Sequence, residues 1–201
     1  MRSHDAPRRV HGTECRATLV QCSTMKNSHI RLLAHNIRSL WNVGSLFRTC
    51  DAMQVEKLYL TGYTGLPPRK EITKTALGAE EFVPWEHFDE PLAILQKLRS
   101  EGFSIVSLEQ TERSVPLGEF EPQFPLCLIL GNEIKGVRED LLDGSDVIVS
   151  IPMLGKKESL NVAVAAGIAL HALRFGVIKP TLPGTSYGRS HTAASTAAKT
   201  R

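Results

Sequence analysis

Apolar positions along the chain switch repeatedly between every-second and helical spacing, and each switch marks a new element. HIRLLAH at 29–35 predicts a first strand. From Asn42 to Met53, Val43, Leu46, Phe47 and Cys50 fall at helical spacing, which predicts an amphipathic helix. VEKLYLT at 55–61 alternates in strand fashion, and residues 62–69, with two prolines, predict a loop. Lys70 to Leu77 reads as a short helix stopped by Gly78, and Glu81 to Pro84 as a short strand. Asp89 is placed to cap a helix reaching Arg99, with Pro91 in its first turn and Leu92, Leu95 and Leu98 on one side. Phe103 to Leu108 is a strand followed by the polar stretch Glu109 to Ser114. Pro125 to Leu130 is the strongest buried-strand candidate and runs straight into Gly131. Val147 to Ile151 repeats that arrangement and ends at Pro152, and Leu160 to Phe175 is a last long helix terminated by Gly176.

Strands and helices thus alternate, and the apolar strands ask for cover on both faces. The expected fold is α/β, a mostly parallel sheet flanked by helices, with ligand sites beyond the carboxyl ends of its strands. The chain's 201 residues suit one domain with a sizeable core. No apolar run is long enough for a membrane span, and Arg8 and Arg9 precede no apolar segment of the signal-peptide kind, so a cytoplasmic protein with no membrane partner is expected.

The formal charge of +3 says less than its distribution. Residues 1–31 carry six Lys/Arg against two acids, residues 176–201 carry four against none, and the stretch between has a net charge of −5. Basic ends of this kind contact phosphates or serve as solvated tails. Residues 1–28 therefore read as a basic arm, and 176–201, rich in Pro, Gly, Ser and Thr, as a flexible basic tail. Cys15, Cys22, Cys50 and Cys127 form no CxxC pair or zinc-like spacing, so no metal is expected, and Cys50 and Cys127 read as core residues.

Three loops do not read as filler. In the first, Asn42 is placed to cap the following helix, Gly44 allows close backbone approach, and Arg48 is either a solvated surface residue or an arginine presented to an anion. The second, LGNEIKGV at 130–137, brackets Asn132 and Glu133 with glycines directly after a buried strand. It is neither a GxGxxG fingerprint nor a Walker A loop, which removes the main sequence support for nicotinamide cofactors and P-loop hydrolysis. In the third, IPMLGKKESLN at 151–161, Ser159 is placed to cap the last helix, and capping leaves Asn161 unexplained. The small residues of that helix allow close packing, within the domain or against another subunit.

Together these segments resemble the three signature motifs of the SpoU, or TrmH-like, branch of the SPOUT RNA methyltransferases. The motifs read here as NVGSLFRTCDAM at 42–53, LILGNEIKGV at 128–137 and IPMLGKKESLNVAVAAGIAL at 151–170. The likeness covers roughly residues 29–175, including KTALGAEEFVPW at 74–85. It implies a SPOUT-type α/β knot whose C-terminal part forms a deep trefoil, a homodimer with the site beside the subunit interface, and S-adenosylmethionine as cofactor. On matching positions the cofactor residues are Leu108, Leu130, Gly131, Ile151, Met153, Ser159 and Leu160. The implied catalytic set is Arg48, Asn42, Glu133 and Asn161.

The implied reaction is methyl transfer to a ribose 2′-hydroxyl of RNA, tRNA rather than rRNA by slight preference, without a metal. Arg48 is expected on the acceptor side, orienting a phosphate and stabilising the developing alkoxide. A phosphate or solvent is the easier proton acceptor, because an arginine proton is costly to remove, although the resemblance allows Arg48 as the base. The alternatives are a non-catalytic RNA-binding or ribosome-assembly protein, or an RNA base methyltransferase.

Overall fold

The computed structural model describes residues 28–176. The arm and tail read from the sequence, and Cys15 and Cys22, lie outside the described residues, apart from the ends of those segments at 28 and 176. Seven strands form one sheet: β1 (Ile30–His35), β2 (Lys57–Thr61), β3 (Trp85–Phe88), β4 (Ser104–Leu108), β5 (Val115–Pro116), β6 (Leu126–Leu130) and β7 (Val147–Ser150). Their spatial order is β3-β2-β1-β6-β4-β7-β5, and every neighbouring pair is parallel. Six helices cover it: α1 (Leu40–Ala52), α2 (Lys70–Ala76), α3 (Ala79–Phe82), α4 (Pro91–Ser100), α5 (Glu139–Asp143) and α6 (Val162–Phe175). None among the described residues is long and apolar enough to cross a membrane.

The two-residue period of the strands divides the core into two layers. Leu32, Ala34, Leu58, Leu60, Leu126, Leu128 and Leu130 face the layer built with α1, α2, α3 and α6. Leu33, Tyr59, Ile105, Cys127 and Ile129 face the other, built with α4 and α5. All five residues of β6 are therefore buried, which is why its sequence is an unbroken apolar run rather than an alternation. Cys50 and Cys127 are fully buried, and burial pushes both thiols up, Cys127 to about 12.

Several boundaries differ from the sequence reading, each for a local reason. Residues 79–82 form the helical turn α3 rather than part of a strand, because the chain restarts after Leu77 turns left-handed at φ 53°. The strand begins only beyond Pro84, whose carbonyl accepts from Leu58 N at 2.9 Å. The N-cap of α4 is Glu90 rather than Asp89, and Ile94, not Leu92, joins Leu95 and Leu98 in the core. The polar or short segments β5 and α5 carry too little periodicity to be read in advance.

Gly44 has a structural task. A Cβ there would collide with the Ile72 carbonyl and the Thr75 hydroxyl, so α1 and α2 touch backbone to backbone. At the far end of the layer, the Arg174 guanidinium of α6 donates to the carbonyls of Met53, Gln54 and Ser28, locking α6 to the end of α1 and the approach to β1. Because the Ile72 carbonyl is backbone and cannot swing aside, Gly44→Ala is expected to destabilise the domain by about 1–3 kcal/mol. Chemical denaturation measures this, and an unchanged midpoint contradicts the close approach.

Candidate functional site

The loops after β4, β6 and β7 converge with the start of α6 around one cavity of about 230 Å³ beyond the carboxyl ends of these strands. Leu108 closes β4 and Leu130 closes β6, while Gly131, Ile151, Met153, Ser159 and Leu160 come from the loops that follow. All seven sequence-predicted cofactor residues thus line the same space. Its remaining wall includes Glu109, Asn132, Glu133, Glu158 and Ala165.

The loop after β6 is a self-closed ring. Asn132 and Gly136 exchange two backbone hydrogen bonds, at 3.0 and 2.9 Å, while Asn132 Oδ1 accepts from the N–H groups of Ile134 and Lys135. A Cβ on Gly131 would strike the backbone of Gly136 and Val137, so this glycine is demanded by closure of its own loop. Glu109 secures the ring from outside, accepting from Val137 N at 2.7 Å. Neither Asn132 nor Glu109 was singled out as a site residue. The one available signal for Glu109 is its position directly after a strand end.

Three of the four predicted catalytic residues form a chain at the cavity's edge. Glu133 accepts from the backbone N–H groups of Arg38 and Ser39, at 2.9 and 3.0 Å, and from Asn42 Nδ2 at 2.9 Å. Asn42 Oδ1 in turn accepts from Asn161 Nδ2 at 3.0 Å. This corrects two capping assignments. Ser39 is the N-cap of α1, and Asn42, inside the first turn, uses its side chain for Glu133 and Asn161. Asn161 is the N-cap of α6, accepting from Ala163 N and Val164 N, which leaves the Ser159 hydroxyl at the cavity. The α1 cap thus lies ahead of the expected residue and frees Asn42, while the α6 cap lies beyond the expected residue and frees Ser159.

Arg48 stands apart. It lies six residues beyond Asn42 on α1, about 9 Å along the axis and about 120° around it. Its exposed side chain lines a separate groove with Ser45, Lys74, Thr75 and Gly167 and makes no ion pair or hydrogen bond among the described residues. Within one chain the structure does not bring Arg48 to the cavity.

Partial burial pushes the Glu133 carboxyl up, but the Arg38 and Ser39 N–H groups and the Asn42 amide outweigh it, and the net lies below the ordinary carboxylate range. With the folded value lowered, the stabilisation is complete above the unfolded carboxylate range and disappears as pH falls through the folded value. Glu133→Gln is therefore expected to cost roughly 1–3 kcal/mol near neutral pH. Denaturation at a series of pH values should show the gap to wild type closing in acid, and a pH-independent gap contradicts the assignment.

A parallel sheet with a cavity over the carboxyl ends of its inner strands defines an α/β protein of the ligand-binding kind. The SpoU rRNA Methylase family matches residues 29–171, and the chain belongs to that family. A tRNA (guanosine(18)-2′-O)-methyltransferase of Aquifex aeolicus is 34% identical over 141 residues, covering 70% of this chain and 66% of that protein. The 23S rRNA (guanosine(2553)-2′-O)-methyltransferase RlmP of Bacillus subtilis is 30% identical, covering 71% and 57%. Among solved structures, the A. aeolicus TrmH/SpoU tRNA modifying enzyme matches with a TM-score of 0.68 and 30% identity, covering 81% of this chain and 83% of that one. An AdoMet-bound rRNA methyltransferase from Sinorhizobium meliloti matches with a TM-score of 0.70 and 25% identity, covering 76% and 58%. The chain spans less than two thirds of the length of these curated relatives.

Proposed function

We propose that this chain transfers the methyl group of S-adenosylmethionine to a ribose 2′-hydroxyl of RNA, with tRNA the preferred pool. The observation that carries the reading is the cavity lined by the second and third family motifs, which the Glu133–Asn42–Asn161 chain ties to the first at its edge. The cavity's chemistry fits the cofactor. Leu108, Leu130, Ile151, Met153 and Leu160 offer apolar walls to an adenosine, and the ionisable side chains lining it are the carboxylates of Glu109, Glu133 and Glu158, opposite in charge to a sulfonium and an ammonium. When bound, the cofactor supplies an activated methyl group.

The protein's own task is alignment and charge. The ribose hydroxyl gives up its proton to a phosphate or to solvent as its oxygen attacks, and the negative charge that this loss builds on the oxygen is what a nearby cation stabilises. Arg48 is assigned to the acceptor side, where its guanidinium stays protonated, holds an adjacent phosphate and steadies that charge. Asn42, Glu133 and Asn161 fix the motif loops that hold the two reactants.

The reading includes a homodimer, which also accounts for the position of Arg48. α6 exposes Val164, Ile168 and Phe175 on the side away from Ala166, Ala169 and Leu170. Gly167 of the same helix lines the groove that holds Arg48. Pairing of two copies through this face buries the apolar stripe and carries Arg48 of one copy toward the cavity of the other. A deep trefoil knot belongs to the same reading, α6 packing back on α1 after the chain has formed β4, β6 and β7. Free, buried Cys50 and Cys127 fit a reducing, cytoplasmic setting. The basic residues of the arm at 1–28 and the tail at 176–201 add phosphate contacts.

The test is methyl transfer from labelled S-adenosylmethionine into separated tRNA and rRNA from cells lacking the gene, followed by nucleoside analysis. A ribose-methylated nucleoside is expected. A labelled base would indicate a base methyltransferase, and no transfer with no cofactor binding a non-catalytic RNA-binding protein. Arg48→Ala is expected to keep cofactor affinity and to lower turnover about 100-fold or more; equal turnover at saturating RNA removes Arg48 from the mechanism. Removing residues 177–201 is expected to weaken RNA binding and flatten its salt dependence, and unchanged affinity makes the tail a bystander.

A further inference from the structure

One aromatic side chain is held rigidly in solvent at the mouth of the site. Tyr63 follows β2 on the loop beyond its carboxyl end, and its side chain is among the most exposed of the large apolar residues, at 61%. Both ends of the residue are nevertheless fastened. Its backbone N–H donates to Asn36 Oδ1 at 3.1 Å, and its phenolic oxygen accepts from Asn132 Nδ2 at 2.9 Å. Asn36 is in turn fixed by His35, whose other ring nitrogen meets the Thr61 hydroxyl, and its carbonyl accepts a second bond from Asn132 Nδ2 at 2.8 Å. The ring is therefore attached to the same loop that lines the cavity through Asn132, Glu133 and Ile134. Aromatic rings ordinarily bury their apolar bodies. A ring denied burial and also denied rotation is suited to stack a flat partner.

The charge around it specifies that partner. Arg38, Arg69, Lys70, Lys135, Lys156 and Lys157 are all exposed, and none makes an ion pair among the described residues. They occupy the segments that follow β1, β2, β6 and β7, strands of one parallel sheet whose carboxyl ends share the edge that carries the cavity. By contrast Arg31, Lys57, Arg99 and Arg113 are each matched by a carboxylate. Arg38 and Lys135 stand next to the platform, because their backbone N–H groups are bonded to Glu133 and Asn132 respectively. Unpaired cations interleaved with a fixed, exposed ring are the features that bind an unstacked nucleotide.

We propose that Tyr63 is a stacking platform for an unpaired base of the RNA beside the ribose that accepts the methyl group, with Arg38 and Lys135 meeting the flanking phosphates. The proposal rests on the methyltransferase reading above and adds to it a preference for single-stranded or loop RNA. It makes the ring face, not the hydroxyl, the feature the RNA reads.

The experiment compares wild type, Tyr63→Phe and Tyr63→Ala in the full chain, measuring binding of S-adenosylmethionine and of unmethylated tRNA and rRNA from cells lacking the gene. Tyr63→Ala is expected to weaken binding of the accepting RNA pool about tenfold or more, with Tyr63→Phe within about twofold of wild type. Cofactor affinity is expected to be the same in all three. Undiminished RNA affinity in Tyr63→Ala overturns the platform. Equal losses in both variants also overturn it, leaving Tyr63 as a hydrogen-bonding strut for Asn132, and so does loss of cofactor binding alongside RNA binding. If wild type itself binds no cofactor, the methyltransferase reading fails and the platform with it; if wild type binds both ligands and Tyr63→Ala is indifferent, the platform alone fails.

Discussion

The functional end of this molecule depends on where one carboxylate finds its partners. Glu133 sits on the loop after β6, and the donors it accepts from, Arg38 N, Ser39 N and Asn42 Nδ2, belong to the entry of α1, more than ninety residues earlier in the chain. A helix N-terminus offers unpaired N–H groups and partial positive charge, so it is a natural seat for an anion. Here the protein supplies the anion from a distant loop. The bond set joins the first motif to the second, and Asn42 passes the connection to Asn161 at the start of α6 and so to the third. It gives three loops on separate strands a common reference.

The layered core makes that meeting possible. Because β6 lies between β1 and β4, its exit loop reaches the β1 exit on one side and the β4 exit on the other. The first contact gives Asn132 its bond to the Asn36 carbonyl, and the second gives Glu109 its hold on Val137. Parallel strands direct all these exits to one edge, where the cavity lies. Arg48 is the exception, since α1 carries it away from Asn42 to the face shared with α6. In the proposed reading a second copy of the chain, docked through the exposed apolar stripe on α6, brings the two places together.

Legibility in the sequence followed the physics of each segment. Strands and helices with strong periodicity, such as β6 and α6, were readable to within a residue or two, and a parallel sheet with two-sided cover followed from them. β5 and α5 were not, because two extended residues and a single polar turn carry no period. The caps of α1 and α6 were misplaced for a reason that bears on the site. Asn42 and Ser159 are good capping types in good positions, but a second candidate lay nearby in each case, and long-range bonds decided between them. Such bonds leave no local trace. The Tyr63–Asn132 contact has the same character, joining residues whose separate contexts are an ordinary turn and a glycine-bracketed loop. The seven residues taken from the family resemblance line one space, while the separation of Arg48 from that space is a fact of helical rotation that only the fold supplies.

The central claim is that the space enclosed by the loops after β4, β6 and β7 is where S-adenosylmethionine binds. Titration calorimetry of S-adenosylmethionine into the full chain tests it directly when wild type is compared with Ala165→Phe, which places a ring in the cavity from the first turns of α6. The account predicts measurable binding to wild type and its loss in the variant, with circular dichroism and the denaturation midpoint showing the fold retained. Absence of binding to wild type, or equal affinity with the cavity filled, would contradict it.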